Sequence, residues 1–134
     1  MRIGRDDNFL SIELVSPDDR YSVVRIDAVV ASGGRRFSVT HDSLLMEASK
    51  EVMQEFANFE EVRRTETEIR LTEGGWLCLR RDSRGYIIVR FRIGSWKAAA
   101  VMEGEVLVDG EFANAFCHEF RTLLRAQSGE FQMR

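Results

Sequence analysis

The amino-acid sequence predicts an α+β fold: a strongly bent antiparallel sheet, or two packed sheets, with two amphipathic helices against one side. Three observations carry this. Apolar and polar residues alternate over residues 9–40 and again over 65–108, the period of half-buried strands. Between and after those stretches the period lengthens to steps of three and four, as on a helix with one apolar stripe. The strand-like runs are joined by short turns, and short turns join antiparallel strands, since parallel ones need a long crossover. The predicted order is three strands, helix, four strands, helix.

The first strand rests on Leu10, Ile12 and Leu14, and Ser16-Pro17-Asp18-Asp19 follows as a turn, with fixed φ and Asx side chains. Val24, Ile26, Ala28 and Val30 then alternate with Tyr21, Val23, Arg25, Asp27 and Val29. Ser32-Gly33-Gly34 supplies the positive-φ residues of a hairpin, and Phe37 and Val39 continue beyond it. The period changes at Asp42-Ser43, an expected N-cap, after which Leu45, Ser49, Val52, Phe56 and Phe59 make a helical stripe. Glu47, Glu51 and Glu55 fall on its solvated side. Ile69 and Leu71 lead to a turn at Glu73-Gly74-Gly75, then Trp76 to Leu79, then a second turn at Asp82-Ser83-Arg84-Gly85. Ile87, Val89, Phe91 and Ile93 face one way, and Tyr86, Ile88, Arg90 and Arg92 the other. The seventh strand, Ala99 to Val108, contains Gly104 as a candidate bulge. Asp109 is expected to cap the second helix, with Phe112, Phe116, Phe120 and Leu123 on one face and Gly129 at its end.

A chain of 134 residues suits one domain, 1–134, with 1–8 and 129–134 expected as loose tails. Hydrophobic residues make up 44% and charged ones 31%, enough for one core under a solvated skin. The net charge of −3 excludes a strongly basic nucleic-acid binder but leaves room for a local basic patch. No window approaches the roughly 20 apolar residues that cross a bilayer, and residues 1–7 lack the apolar region of a secretory signal. A cytoplasmic location is therefore expected, with no membrane partner.

Chemistry-bearing residues are sparse. Cys78 and Cys117 are expected as free thiols. Cys117-His118 is the only close thiol–imidazole pair, and neighbours on a helix point about 100° apart, a poor clamp for a metal. Cys117 beside Phe116 reads as a small core residue, and His41 as a polar loop residue before the first helix. Glu60, Glu61, Glu66, Glu68 and Glu73 read as solvated charges among Arg63, Arg64 and Arg70 rather than as an acid–base pair. Ser32-Gly33-Gly34 has no helix N-terminus behind it and so makes no phosphate loop. No catalytic residue, metal or cofactor is expected.

Charge is unevenly spread. Residues 42–73 carry nine acids and four bases, while residues 80–97 carry six bases and one acid. Alternation places Arg25 and Asp27, Glu68 and Arg70, Trp76 and Arg80, and Tyr86, Arg90 and Arg92 on a polar sheet face. Trp, Tyr and Arg are the residue types that dominate protein interfaces. A plain solvated face and a protein-binding face account for this composition equally well. Basic and aromatic residues interleaved also suit single-stranded nucleic acid, but the acidic helix and total charge disfavour it.

One resemblance goes further. The run from Leu45 through Phe56 and Phe59, then Leu71-Thr72-Glu73-Gly74-Gly75-Trp76-Leu77, then Gly85-Tyr86-Ile87-Ile88-Val89-Arg90-Phe91, resembles immunity proteins of wall-associated polymorphic toxins, the WapI type. Trp96 and the closing helix with Phe112, Phe116 and Leu123 fit the same outline, over roughly residues 9 to 126. The resemblance implies a small cytoplasmic protein without catalytic residues that binds and blocks a cognate toxin domain. Toxins of this group are commonly nucleases, so an acidic surface, here Glu47, Glu51 and Glu55 with Glu60 and Glu61, would complement one.

The expected function is thus a non-enzymatic protein-binding module, with Glu47, Glu51, Glu55, Arg25, Arg70, Trp76, Tyr86, Arg90 and Arg92 as candidate contacts. The alternatives are a self-associating structural or regulatory protein, forming a homodimer through its outer sheet face, and a small-ligand binder with its pocket between sheet and helices.

Overall fold

Turn chemistry sets the strand pairing. Gly33 at φ 60° and Gly34 at φ 77° make the two-residue left-handed turn that suits the twist of a hairpin, and Ser32 and Arg35 pair directly across it. Gly85 at φ 83° closes a second reversal, where the Asp82 carboxylate accepts from the amides of Arg84 at 2.8 Å and Tyr86 at 3.1 Å. The computed structural model describes residues 1–18, 21–95 and 100–125. In chain order they form β1 (Arg2–Arg5), β2 (Asn8–Asp18), β3 (Tyr21–Ser32), β4 (Arg35–Glu47), α1 (Lys50–Glu60), β5 (Glu66–Arg70), β6 (Trp76–Arg81), β7 (Ile87–Ser95), β8 (Ala100–Val108), a 3-10 turn (Gly110–Phe112) and α2 (Ala113–Arg125).

The α+β class and the antiparallel pairing agree with the sequence, in the two-sheet form. One sheet has the order β1-β2-β3-β4 and the other β5-β6-β7-β8, every neighbour antiparallel. Among the described residues a single bridge, between Met46 and Leu71, joins them, reinforced where Thr72 N donates to the Leu45 carbonyl at 3.0 Å. The inward residues of both sheets meet one face of each helix in a continuous apolar cluster. Phe56 and Phe59 of α1 meet Phe116 and Phe120 of α2 within it: the Phe56 and Phe120 rings stack with centroids 5.3 Å apart, and Phe59 and Phe116 tilt against them.

Several expectations need correction. Residues 1–8 are not a loose tail: β1 adds an eighth strand. The Met1 ammonium donates to Ile12 O at 2.9 Å, Arg2 lies 3.9 Å over the Phe9 ring, and Gly4 at φ +102° lets β1 approach Asn8 closer than any side chain allows. Pro17 is not in the turn. β2 runs through it to Asp18, which pairs with Tyr21, and β1 pairs only as far as Ser11, so no neighbour requires the missing amide. Asp42 and Ser43 do not cap α1. They form the bulge of β4 opposite Arg25, and the cap is Ser49, whose hydroxyl accepts from Val52 N at 3.3 Å. Leu45 and Glu47 therefore belong to a strand. Gly104 is not a bulge, because β7–β8 pairing runs unbroken with Gly104 opposite Phe91. Asp109 precedes the 3-10 turn without a side-chain cap bond, and Phe112 in that turn is exposed; the buried stripe of α2 is Ala113, Phe116, Cys117, Phe120 and Leu124. The readings for Trp96, Ala99, Gly129 and residues 129–134 fall outside the described residues.

Candidate functional site

The outer face of the second sheet gathers four of the nine candidate contacts. Strand period two sends Thr67, Ile69, Leu77, Leu79, Ile87, Val89, Phe91, Val106 and Val108 into the core, which leaves the intervening residues outside. Registration then lines those residues up in rows. Glu66, Arg80, Ile88 and Leu107 make one row; Glu68, Cys78, Arg90 and Glu105 the next; Arg70, Trp76, Arg92 and Glu103 the third. Read along the strands, the face is banded: Glu66 and Glu68 on β5, which ends in Arg70, and Glu103 and Glu105 on β8 flank the arginines and Trp76 of the two central strands. Arg90 stands 5.9 Å from the Trp76 ring centroid, and the Arg92 guanidinium reaches Glu103 at 3.7 Å. Both arginines keep donors open to solvent, and an exposed pair of this kind contributes little to folding.

Glu103, Glu105, Glu66 and Cys78 complete this face, and the sequence reading did not assign them to it. The signal lay in the alternation of Val101, Glu103, Glu105 and Leu107, which only registration connects to Arg90 and Arg92. The Cys78 thiol donates to Glu66 at 3.2 Å and is pushed up to about 11, by burial first and then by the Glu66 carboxylate, so it stays protonated at neutral pH.

The other candidates lie elsewhere. Arg25 is on the first sheet, between Asp27 at 3.4 Å and Asp42 at 3.7 Å. Tyr86 sits at the turn before β7, half-buried under Arg84, whose guanidinium is 4.1 Å from its ring. Glu51 and Glu55 are exposed on α1, whereas Glu47 ends β4, half-buried, and accepts from Ser49 Oγ at 3.4 Å. Glu60 is held by Arg121 at 3.0 and 2.9 Å, a tie between the helices, and Glu61 pairs with Arg63 at 3.1 Å. The acidic surface of α1 thus reduces to Glu51 and Glu55.

The thiol, imidazole and acid do not converge. Cys117 is buried and burial pushes its thiol up, against the pull of Arg81 3.7 Å away, while His118 is exposed with Nδ1 2.8 Å from Arg121. His41 is a strand residue of β4, not a loop residue, and its Nε2 lies 2.7 Å from Glu73. A groove of about 290 Å³ opens between α1 and α2 rather than between sheet and helices, lined by Met53, Phe56, Ala57 and Leu124 together with Lys50 and Arg121. Among the described residues, no three His, Cys, Asp or Glu side chains gather as a metal set, and no helix is long and apolar enough to cross a membrane.

Fold and face together define a two-sheet α+β protein that displays a banded, arginine-rich strand surface. Comparison with known proteins returns no matching family model, curated sequence or solved structure.

Proposed function

We propose that this chain is a non-catalytic protein-binding module whose contact surface is the outer face of the second sheet. The observation that supports it most is the in-register row Arg70, Trp76, Arg92 and Glu103, with Arg90 beside the same ring. Tryptophan and arginine carry most binding energy at protein interfaces, because each combines a broad apolar surface with directed donors. The banding adds selectivity: a partner must offer acidic or aromatic groups to the centre and basic ones to the flanks. Nucleic acid is disfavoured, since phosphates seated on Arg80, Arg90 and Arg92 would border the glutamates of β5 and β8. In a two-fold face-to-face pairing centred on the patch, Arg90 would meet its own copy, which favours a different protein as partner.

The resemblance to immunity proteins supports a narrower reading, in which the partner is a toxin domain that the chain blocks. Co-expression with the product of an adjacent toxin-like gene is expected to give a stable complex and relieve growth arrest. Trp76→Ala and Arg92→Glu should each weaken that complex by at least about 30-fold, as for interface anchors worth ~2 kcal/mol. Full-strength binding by both variants would remove this face from the interface, and failure to bind or protect would remove the toxin partner.

A further inference from the structure

The open edge of the first sheet is a second surface, independent of the banded face. β4 is the last strand of its sheet, and among the described residues no backbone pairs with its outer side from Arg35 to Ser43, where the one polar side-chain tie to a residue outside the sheet is His41 to Glu73 at 2.7 Å. The hairpin at Gly33-Gly34 bounds this stretch at one end. At the other end stand the bulge at Asp42-Ser43 and the hydrogen bonds between Leu45 and Thr72. Such an edge is a row of unpaired donors and acceptors, usually blunted by charged side chains, proline, a bulge or shortness; here Arg35 and Arg36 stand near one end and the bulge at Asp42-Ser43 at the other, which leaves Phe37 to His41 between them. The segment Arg35-Arg36-Phe37-Ser38-Val39-Thr40-His41-Asp42-Ser43 contains neither lysine nor proline.

We propose that this edge is where two copies of the chain pair, antiparallel about a two-fold axis at Val39, so that the first sheet runs from one molecule into the next. Geometry restricts the choice of register. A two-fold axis normal to the sheet leaves every side chain on its own face, so some residue must oppose its own copy. Val39 is the midpoint of the open edge and gives the longest overlap. That register sets Arg36 opposite Asp42 of the second copy, twice by symmetry, and sets Ser38 opposite Thr40 and Phe37 opposite His41. A shift to Ser38 as centre puts Arg36 opposite Thr40, and a shift to Thr40 puts it opposite Leu44, so only the Val39 register opposes unlike charges.

The side chains are placed for it. Asp42 is 83% exposed, with Arg25 at 3.7 Å as its ion-pair partner in its own molecule. Phe37 is 51% exposed, beside an open groove of about 410 Å³ lined by Val30, Val39, Ile93, Val101 and Met102. Pairing covers that ring with the second copy's edge and closes a hydrophobic surface that water otherwise wets.

Sedimentation velocity of the intact chain over a range of concentrations tests the proposal. A concentration-dependent dimer is expected. Arg36→Asp alone, or Asp42→Arg alone, sets like charges opposite each other at two places and should weaken the dimer at least about tenfold. The double variant Arg36→Asp with Asp42→Arg restores both pairs and should restore the dimer. Far-UV circular dichroism confirms that each variant is folded. A monomer at every concentration, a dimer indifferent to the single reversals, or a double variant no better than the singles would overturn the proposal. Trp76→Ala leaves this edge untouched and should dimerise as the parent does, which separates the edge from the banded face.

Discussion

Thr67 carries a hydroxyl that is buried and has no hydrogen-bond partner among the described residues. It sits in β5 opposite Leu79 with its side chain in the core beside Ile69. An unpaired buried hydroxyl costs about 1–3 kcal/mol, whereas valine keeps the branched shape and strand preference without the polar atom. Thr67→Val should therefore raise stability by about 1 kcal/mol, seen as a higher urea midpoint at unchanged slope. A lower midpoint would mean that the hydroxyl has a partner. Arg81 shows the opposite case. The sequence places it within a basic stretch, but it points inward from β6. There it donates to the carbonyls of Phe59 at 3.3 Å and Glu60 at 3.4 Å and lies 4.8 Å over the Phe59 ring. It thereby supplies the positive charge that the last turn of α1 lacks. Alternation puts Arg81 on the inward face with Leu77 and Leu79 and Arg80 on the outer one; what the sequence does not show is the helix terminus that receives an inward charge at this strand end.

The end of α1 shows why element boundaries are harder to read than elements. Arg63 N donates to Asn58 O at 2.8 Å and Val62 N to Phe59 O at 3.1 Å, the paired bonds of a Schellman cap. The residue that turns the chain is Val62, at φ 62°. Glycine is the usual occupant, since a β-branched residue is strained in the left-handed region. With valine there, the sequence holds no stop signal. Val62 is also 64% exposed, so little packing compensates. Val62→Gly should stabilise the protein by about 1 kcal/mol, measurable as a rise in Tm; a fall would show that the valine side chain holds the cap. The start of α1 misleads for a related reason. Asp42-Ser43 carries the side chains of an N-cap, and Leu45 and Ser49 fall at helical spacing from Val52, so the stripe extends backwards past the true cap. The choice is made by tertiary contacts, because the Thr72 and Leu71 backbones pair with Leu45 and Met46 and hold that segment extended. β1 was hidden differently: of its four residues only Ile3 is apolar, so alternation gives no signal, and its pairing rests on Gly4 and the Phe9 contact. The strands of the banded face, by contrast, were legible because burial on one side enforces strict alternation. Their relative register was not, and that is why Glu103 and Glu105 were missed.

At the scale of the whole molecule, the question is what fixes one sheet against the other. The Met46–Leu71 bridge ties them at one place. Gly104 marks a second contact of another kind. A Cβ at that position would lie 2.5 Å from Phe91 Cζ and 2.7 Å from Val30 Cγ2, the first in the neighbouring strand and the second in the opposite sheet. Phe91 is fully buried and spreads over the glycine opposite it, so the ring occupies the room that a side chain would need. A glycine inside a strand is otherwise a weakness, and this one is explained by close approach rather than by backbone freedom. Gly104→Ala must move the ring or part the sheets, and overpacking of this size costs about 1–3 kcal/mol. Val30→Ala alone should also destabilise, through lost contact. If Val30 and Gly104 touch across the two sheets, the alanine at 104 can use the space vacated at 30. The double variant should then be more stable than the sum of the single effects predicts, by at least about 0.5 kcal/mol in a urea-unfolding cycle. Strict additivity would place the two positions out of contact and leave the Met46–Leu71 bridge and the packed helices to hold the sheets in register.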